Sequence, residues 1–286
     1  MAEASAIVTM SDLQEAPGHA PAQEPFSGDF RAQFMQCDVT YYSSVTALLQ
    51  SVLRFGNGQV DIVIPNAGVL TEESLFDMFP SKLPNIDSPP PPPASLCLNV
   101  NLHAVYNTCY FALYYFRLLR VDATTFKPSI VLIASLAAYI GYPSSATYSM
   151  SKFGVRGLLY SIRERALRSS IRVNLVAPKY VDTGITKQPD FLQDNGAVLE
   201  IIGFASMDRV VDAVCRFATD KALSGRTVGI FPRGDEYLGD DLEGGYGGTV
   251  LGKHMREIAV VVRQVRAKAL LNAQAAAGRG DSLPSE

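Results

Sequence analysis

Six short apolar runs constrain this chain more than any other feature: AIVT (6–9), AQFMQC (32–37), VDIVIP (60–65), SIVLIA (129–134), IRVNLVA (171–177) and TVGIFP (227–232). They are continuous in apolar character rather than alternating, as strands buried on both faces are. Between them SSVTALLQSVLRFG (43–56), NLHAVYNTCYFALYYFRLLR (101–120), TYSMSKFGVRGLLYSIRERALRS (147–169) and SMDRVVDAVCRFATD (206–220) place apolar residues at helical spacing. Strand, helix, strand at this pitch predicts an α/β fold, an open parallel sheet with helices on both faces.

The 286 residues, 48% of them apolar, are enough for one large domain with a substantial core. A formal charge of −3 gives no general pull toward nucleic acid or anionic lipid, so neither is expected as a partner. Cys37, Cys97, Cys109 and Cys215 lie far apart, and His19, His103 and His254 are scattered, so no metal site or disulfide framework is expected. The N-terminus shows no secretory signal, and SIVLIASLAAYIGY is too short and too polar to span a membrane; a cytoplasmic protein is expected.

Two stretches fall outside the alternation. KLPNIDSPPPPPAS (82–95), with five consecutive prolines, predicts a stiff extended surface crossover. GDEYLGDDLEGGYGGTV (234–250) is glycine-rich without the lysine and hydroxyl of a phosphate loop, and is expected to be mobile surface chain. The expected organisation is a flexible 1–5, one domain over 6–235, and a C-terminal extension over 236–286 that frays after its alanines, its RGD being incidental.

YSMSK (148–152) carries the chemistry. A hydride leaving an alcohol or reaching a carbonyl requires a proton to move between that oxygen and the protein. A free phenol, with a pKa near 10, is a poor base at neutral pH, and a cationic amine one helical turn away favours the phenolate. Tyr148 and Lys152 have the spacing to share one helix face. Ser135, at the end of an apolar strand, is placed for its hydroxyl to emerge at the carboxyl edge of the sheet and orient a substrate oxygen.

In this order CDV (37–39), NAG (66–68), NVNL (99–102), IVLIAS (130–135), YSMSK and IRVNLVAP (171–178) resemble the short-chain dehydrogenase/reductase family. The likeness covers roughly residues 5–235 and is nearest to fungal members related to 15-hydroxyprostaglandin dehydrogenase. It implies a Rossmann-like doubly wound domain, an NAD or NADP cofactor, and reversible alcohol–ketone interconversion, with secondary metabolites as a substrate class. It also implies catalytic roles for Ser135, Tyr148 and Lys152, with Asn101 supporting a proton-relay water and Lys152 reaching the nicotinamide ribose. Asp38 matches an adenine contact, and Asn66, Ala67 and Gly68 a small-residue bend beside the nucleotide. Val181 and Thr183 match contacts to the carboxamide and phosphates. Where the family has proline-glycine, this chain has Pro178-Lys179. The helices over 102–120 and 148–168 resemble those through which family members form homodimers or homotetramers, and 184–206 resembles the lid over the substrate.

The front of the chain departs from that pattern. AIVTMSDLQEA resembles the family's second strand, with Asp12 placed to hold the adenosine ribose and to favour NAD over NADP by repelling a 2'-phosphate. The first strand, its glycine-rich turn and its helix are then missing, which predicts a gap in the usual strand order 3-2-1-4-5-6-7. The competing assignment makes AIVTM the first strand, but too few residues separate Thr9 from Ala32 for a helix and another strand. Two readings stay open: a working oxidoreductase, or a cofactor-poor relative serving as a binding or structural protein or a truncated gene product.

Overall fold

The computed structural model describes residues 6–14, 31–71, 75, 86–118, 127–239 and 248–277. Its strands are β1 (Ile7–Asp12), β2 (Arg31–Gln36), β3 (Ile62–Val63), β4 (Ser129–Ile133), β5 (Arg172–Pro178), β6 (Thr227–Phe231) and β7 (Gly234–Tyr237). The longer helices are α1 (Tyr42–Phe55), α2 (Ala104–Tyr115), α3 (Ala137–Ile140), α4 (Ala146–Arg168), α5 (Pro189–Ile202), α6 (Met207–Thr219) and α7 (Gly248–Ala277).

Strands β3-β4-β5-β6-β7 form one sheet in that order, parallel except for the antiparallel β7. The residues of β4 alternate between two cores, as a pleated strand must. Ile130 and Leu132 pack with Val155 and Leu159 of α4 and with Val105, Cys109 and Ala112 of α2. Val131 faces the other way, with Val176, Val228 and Ile230, against Phe217 and Ala218 of α6. Helices therefore cover both faces, and the expected α/β architecture is present.

Strands β1 and β2 pair with each other, in parallel from Ile7↔Arg31 to Asp12↔Gln36, as a separate two-stranded sheet. Among the described residues no strand pairs with the other edge of β1 or of β3, so the gap expected from the sequence is a break in the hydrogen-bonded ladder. Both runs were expected to be buried on both faces; instead β1 and β2 are only partly buried, because no neighbouring sheet continues past them. Their connection to the larger sheet runs through α1, where Val45 and Leu49 pack with Cys37 and with Phe111 of α2.

Three further departures have local causes. The stretch over 234–250 is not all surface chain: β7 pairs with β6 from Phe231↔Gly234 to Val228↔Tyr237, and α7 begins at Gly248. The helix expected over 101–120 is interrupted at its start by a π-helical turn, Asn99–His103, before α2 runs to Tyr115. The lid region contains a helix of its own, α5, with Pro189 at its first turn, where a missing N–H costs nothing. Residues 89–95 of the proline-rich stretch are exposed and without regular structure, while 1–5, 82–85 and the RGD lie outside the described residues.

Candidate functional site

The site lies at the carboxyl ends of β3, β4 and β5, where backbone groups leave the ladder and side chains can converge. Ser135 follows β4. Its Oγ accepts from the Ala137 N–H at 3.1 Å, and its one hydroxyl proton is shared between the Pro178 carbonyl, 3.5 Å away, and the Tyr148 phenol. Tyr148 stands in the first turn of α4. Ser145 caps that helix, its Oγ accepting from the Tyr148 N–H at 3.2 Å, so the cap that starts the helix also fixes the tyrosine backbone.

Lys152 is 6% exposed, and its ammonium donates to the Ile133 carbonyl at 3.2 Å while lying 5.6 Å from the centre of the Tyr148 ring. Burial pushes this amine down to about 8, the nearby Cys97 thiol acting in the opposite sense. Burial also pushes the Tyr148 phenol up from its ordinary value, against the hydrogen bond from Ser135. The sequence predicted a phenolate favoured by the lysine. Desolvation instead moves the phenol the other way, toward its protonated form.

Asn101 is fully buried in the π-helical turn, a feature often found at functional sites. Its Oδ1 accepts from the Val69 N–H at 2.8 Å, and its Nδ2 donates to the Val69 carbonyl at 2.8 Å and to Ser151 Oγ at 3.2 Å. Ser151 Oγ in turn donates to the Tyr148 carbonyl at 2.7 Å. The side chain of Asn101 thus clamps the segment after β3 to the helix that carries Tyr148 and Lys152. Gly68 completes this corner. A Cβ there would sit 3.6 Å from Asn101 Oδ1 and 3.9 Å from Lys152 Nζ, filling the space between the loop and the amine.

The remaining predicted residues are distributed more widely. Asn66 and Ala67 are exposed after β3, and Val181 and Thr183 lie in the turn after β5. Thr186 secures that turn, its hydroxyl accepting from the Thr183 N–H at 3.0 Å and donating to the Val181 carbonyl at 2.7 Å. Asp38 uses its Oδ1 on the Thr40 N–H and hydroxyl, capping its own turn. Asp12 ends β1 on the two-stranded sheet, its exposed carboxylate accepting from the Gln14 N–H at 2.9 Å.

A group of residues not singled out from the sequence forms the wall facing Tyr148. Leu70, Phe191 and Leu199 are buried, and the partly buried Tyr142, Tyr148, Tyr180 and Ile185 pack against them. Asn195 ties two of these rings: its Oδ1 accepts from the Tyr180 hydroxyl at 3.0 Å, and its Nδ2 donates to the Tyr142 hydroxyl at 2.8 Å. The available signal was a polar Asn195 between Phe191 and Leu199, four residues from each on the apolar stripe of α5. Among the described residues no cluster of His, Cys, Asp or Glu could hold a metal, and no helix is long and apolar enough to cross a membrane.

These residues fit the nicotinamide-ribose end of a dinucleotide. The cradle at Gly68, the buried amine of Lys152 with one acceptor engaged, and the phenol beside Ser135 meet in one corner. Residues 1–190 match the family model for short chain dehydrogenases. A 5'-hydroxyaverantin dehydrogenase of Emericella nidulans is 34% identical over 260 residues, 87% of this chain and 84% of the relative. The 5'-hydroxyaverantin dehydrogenase of Dothistroma septosporum shows the same identity and coverage. An NADP-dependent dehydrogenase of Cochliobolus lunatus is 32% identical over 215 residues, 72% of each chain. The chain therefore belongs to the short-chain dehydrogenase family, as an oxidoreductase that interconverts an alcohol and a ketone on a small molecule with a nicotinamide cofactor.

Proposed function

We propose that Tyr148 is the general acid/base of this reaction, with Ser135 orienting the substrate oxygen and Lys152 stabilising charge on the phenol and holding the nicotinamide ribose. The observation that carries this reading is the convergence of the three groups: Ser135 hydrogen-bonds Tyr148, and the Lys152 ammonium lies 5.6 Å from its ring. The bound nicotinamide supplies or accepts the hydride. Tyr148, protonated in its buried setting, gives its proton to the carbonyl oxygen on reduction and recovers it from the alcohol on oxidation. Asn101 acts as the brace that keeps the loop after β3 against α4, so that Lys152 and Gly68 stay in register. Substituting Tyr148 by Phe and measuring turnover tests the assignment.

The substrate in this reading is a largely apolar secondary metabolite carrying a secondary hydroxyl or ketone. Support comes from the aromatic wall beside Tyr148 and from relatives named as 5'-hydroxyaverantin dehydrogenases. Asp12 favours NAD through repulsion of a 2'-phosphate; the relatives named as NADP-dependent make this the point where the chain is expected to differ. Asp38, Asn66, Ala67, Val181 and Thr183 complete the cofactor contacts. Four free cysteines suit a reducing, cytoplasmic setting.

The reading includes a homodimer or homotetramer built on α2 and α4. Tyr106, Tyr110 and Tyr114 recur every four residues along α2, each more than half exposed, and Met150 and Phe153 are exposed on α4. An aromatic stripe of this kind is more apt to be covered by protein than by water.

A further inference from the structure

Lys179 is the first residue after β5, and its N–H donates to the Ile230 carbonyl at 2.9 Å. It is only 6% exposed. The next residue, Tyr180, has φ of 41°, in the left-handed region that bulky side chains rarely occupy. Successive side chains of an extended segment point to opposite faces; here the turn at Tyr180 breaks that alternation. The Lys179 ammonium comes to rest 4.5 Å from the centre of the Tyr180 ring.

That ring belongs to the wall facing the catalytic tyrosine. Tyr180 meets Phe191 edge to face at 5.6 Å, Phe191 stacks with Tyr142 at 6.4 Å, and Tyr142 meets Tyr148 at 6.2 Å. Asn195 holds the Tyr180 and Tyr142 hydroxyls, which fixes the spacing of the rings. The amine therefore sits at one end of a packed row of rings whose other end is Tyr148.

Among the described residues no carboxylate pairs with Lys179, and burial alone accounts for its amine being pushed down to about 8. A buried ammonium without a counterion is costly, and a glycine or an apolar side chain would avoid that cost. The contact with the Tyr180 face compensates in part, since an aromatic face attracts a cation, but it satisfies none of the three N–H donors.

We propose that Lys179 is a substrate-recognition residue that binds the anionic group, a carboxylate or an ionised phenol, of an aromatic substrate whose ring lies against the partly exposed Tyr142 and Tyr180. The proposal rests on the placement of the reaction at Tyr148 and adds the substrate class. An anionic oxygen would accept charge-assisted hydrogen bonds from the ammonium and supply the missing counter-charge in a site with little water to compete. The aromatic part would gain offset or edge contacts with these two rings, which Phe191 backs from the core.

The test is calorimetric titration of the full chain with 2-naphthoate, with its neutral counterpart 2-naphthamide, and with 6-cyano-2-naphthol as the acidic-phenol arm. The expected result is naphthoate or the ionised naphthol binding about tenfold or more tightly than the amide. In Lys179→Met the preference should fall to within about twofold, with the amide affinity retained, since Met keeps the length and removes the charge. Equal affinities in the unsubstituted protein, no binding of any of the three, or a preference that survives Lys179→Met would overturn the proposal. The unsubstituted protein alone supplies a decisive ratio if the variant does not fold. Binding is read without turnover, so the two readings fail separately. Anion preference in a protein whose turnover is indifferent to Tyr148→Phe refutes only the catalytic assignment; Tyr148-dependent turnover without anion preference refutes only this one.

Discussion

The Lys152 ammonium and the Tyr148 ring stand 5.6 Å apart, one turn along a helix that Ser145 caps. Burial moves both groups toward their neutral forms, the phenol upward and the amine down to about 8. The pair is thus set as a protonated phenol beside an amine that is still mostly charged at neutral pH but titrates well below its ordinary value.

Tyr148→Phe removes one hydroxyl and keeps the ring that packs against Tyr142. Turnover should fall by about 10²–10⁴-fold, the usual size of a general acid/base contribution. The thermal midpoint should move little. Steady-state reduction and oxidation assays alongside thermal unfolding check both halves, and an unchanged rate removes Tyr148 from the mechanism.

Lys179→Met should stabilise the protein at neutral pH by about 1–3 kcal/mol, because it removes a buried charge that lacks a counterion. The sign follows from linkage. Below about pH 8 the amine is charged both folded and unfolded, and the full burial cost is present. Between about 8 and the unfolded value of 10.5 the folded protein binds fewer protons, so stability rises with pH and the advantage of the variant shrinks. Urea unfolding of both proteins at pH 7 and pH 10 measures the difference; a constant gap, or a gap growing with pH, contradicts it.

Arg172 is almost wholly buried, and its guanidinium donates to the carbonyls of Phe217 and Ala218, each at 2.6 Å, of Asp220 at 3.0 Å and of Lys127 at 3.4 Å. It closes the C-terminal end of α6, where helix carbonyls lack partners. Arg172→Leu should cost about 3 kcal/mol or more by stranding those carbonyls, with Arg172→Lys recovering part of the loss. Denaturant midpoints for the two variants decide this.

Asp12→Asn should tighten NADP(H) binding by about tenfold and leave NAD(H) within a few-fold, since one repulsive charge at the ribose is lost. Fluorescence titration with the two reduced cofactors gives the ratio. A ratio unaltered by the substitution would falsify the proposed role of Asp12.

Light scattering should return two or four times the 31.0 kDa chain mass, and Tyr110→Glu, on the exposed stripe of α2, should lower it. A monomeric mass for the unsubstituted protein rules out the proposed interface.

Strands β4 to β6 and helix α4 were legible because their signals are local: unbroken apolar runs for strands buried on both faces, and helical spacing for the helix. Ser135, Tyr148 and Lys152 stood out as candidates for the same reason, since their order and separation are features of the sequence itself. What the sequence hid is set by partners far along the chain. The short β7 is defined by pairing with β6 rather than by its own composition. The clamp at Asn101 depends on Val69 and Ser151, 32 and 50 residues away. The upward movement of the Tyr148 phenol could not be read from a neighbouring lysine, because it reports how much protein surrounds the ring. Asn195 looks like one polar residue in a helix until Tyr142 and Tyr180 arrive from two other segments.

The seam between the β1–β2 pair and the larger sheet sets two parts of the fold apart. Among the described residues, Asp12 rides on a ladder that shares no backbone bond with the strands delivering Ser135 and Lys179, and Val45, Leu49 and Phe111 connect the two by contact between side chains. Such contacts yield to small displacements that a continuous run of N–H···O=C links resists. A small shift of the β1–β2 pair against the larger sheet therefore has side-chain packing to rearrange and no ladder hydrogen bond between described strands to break.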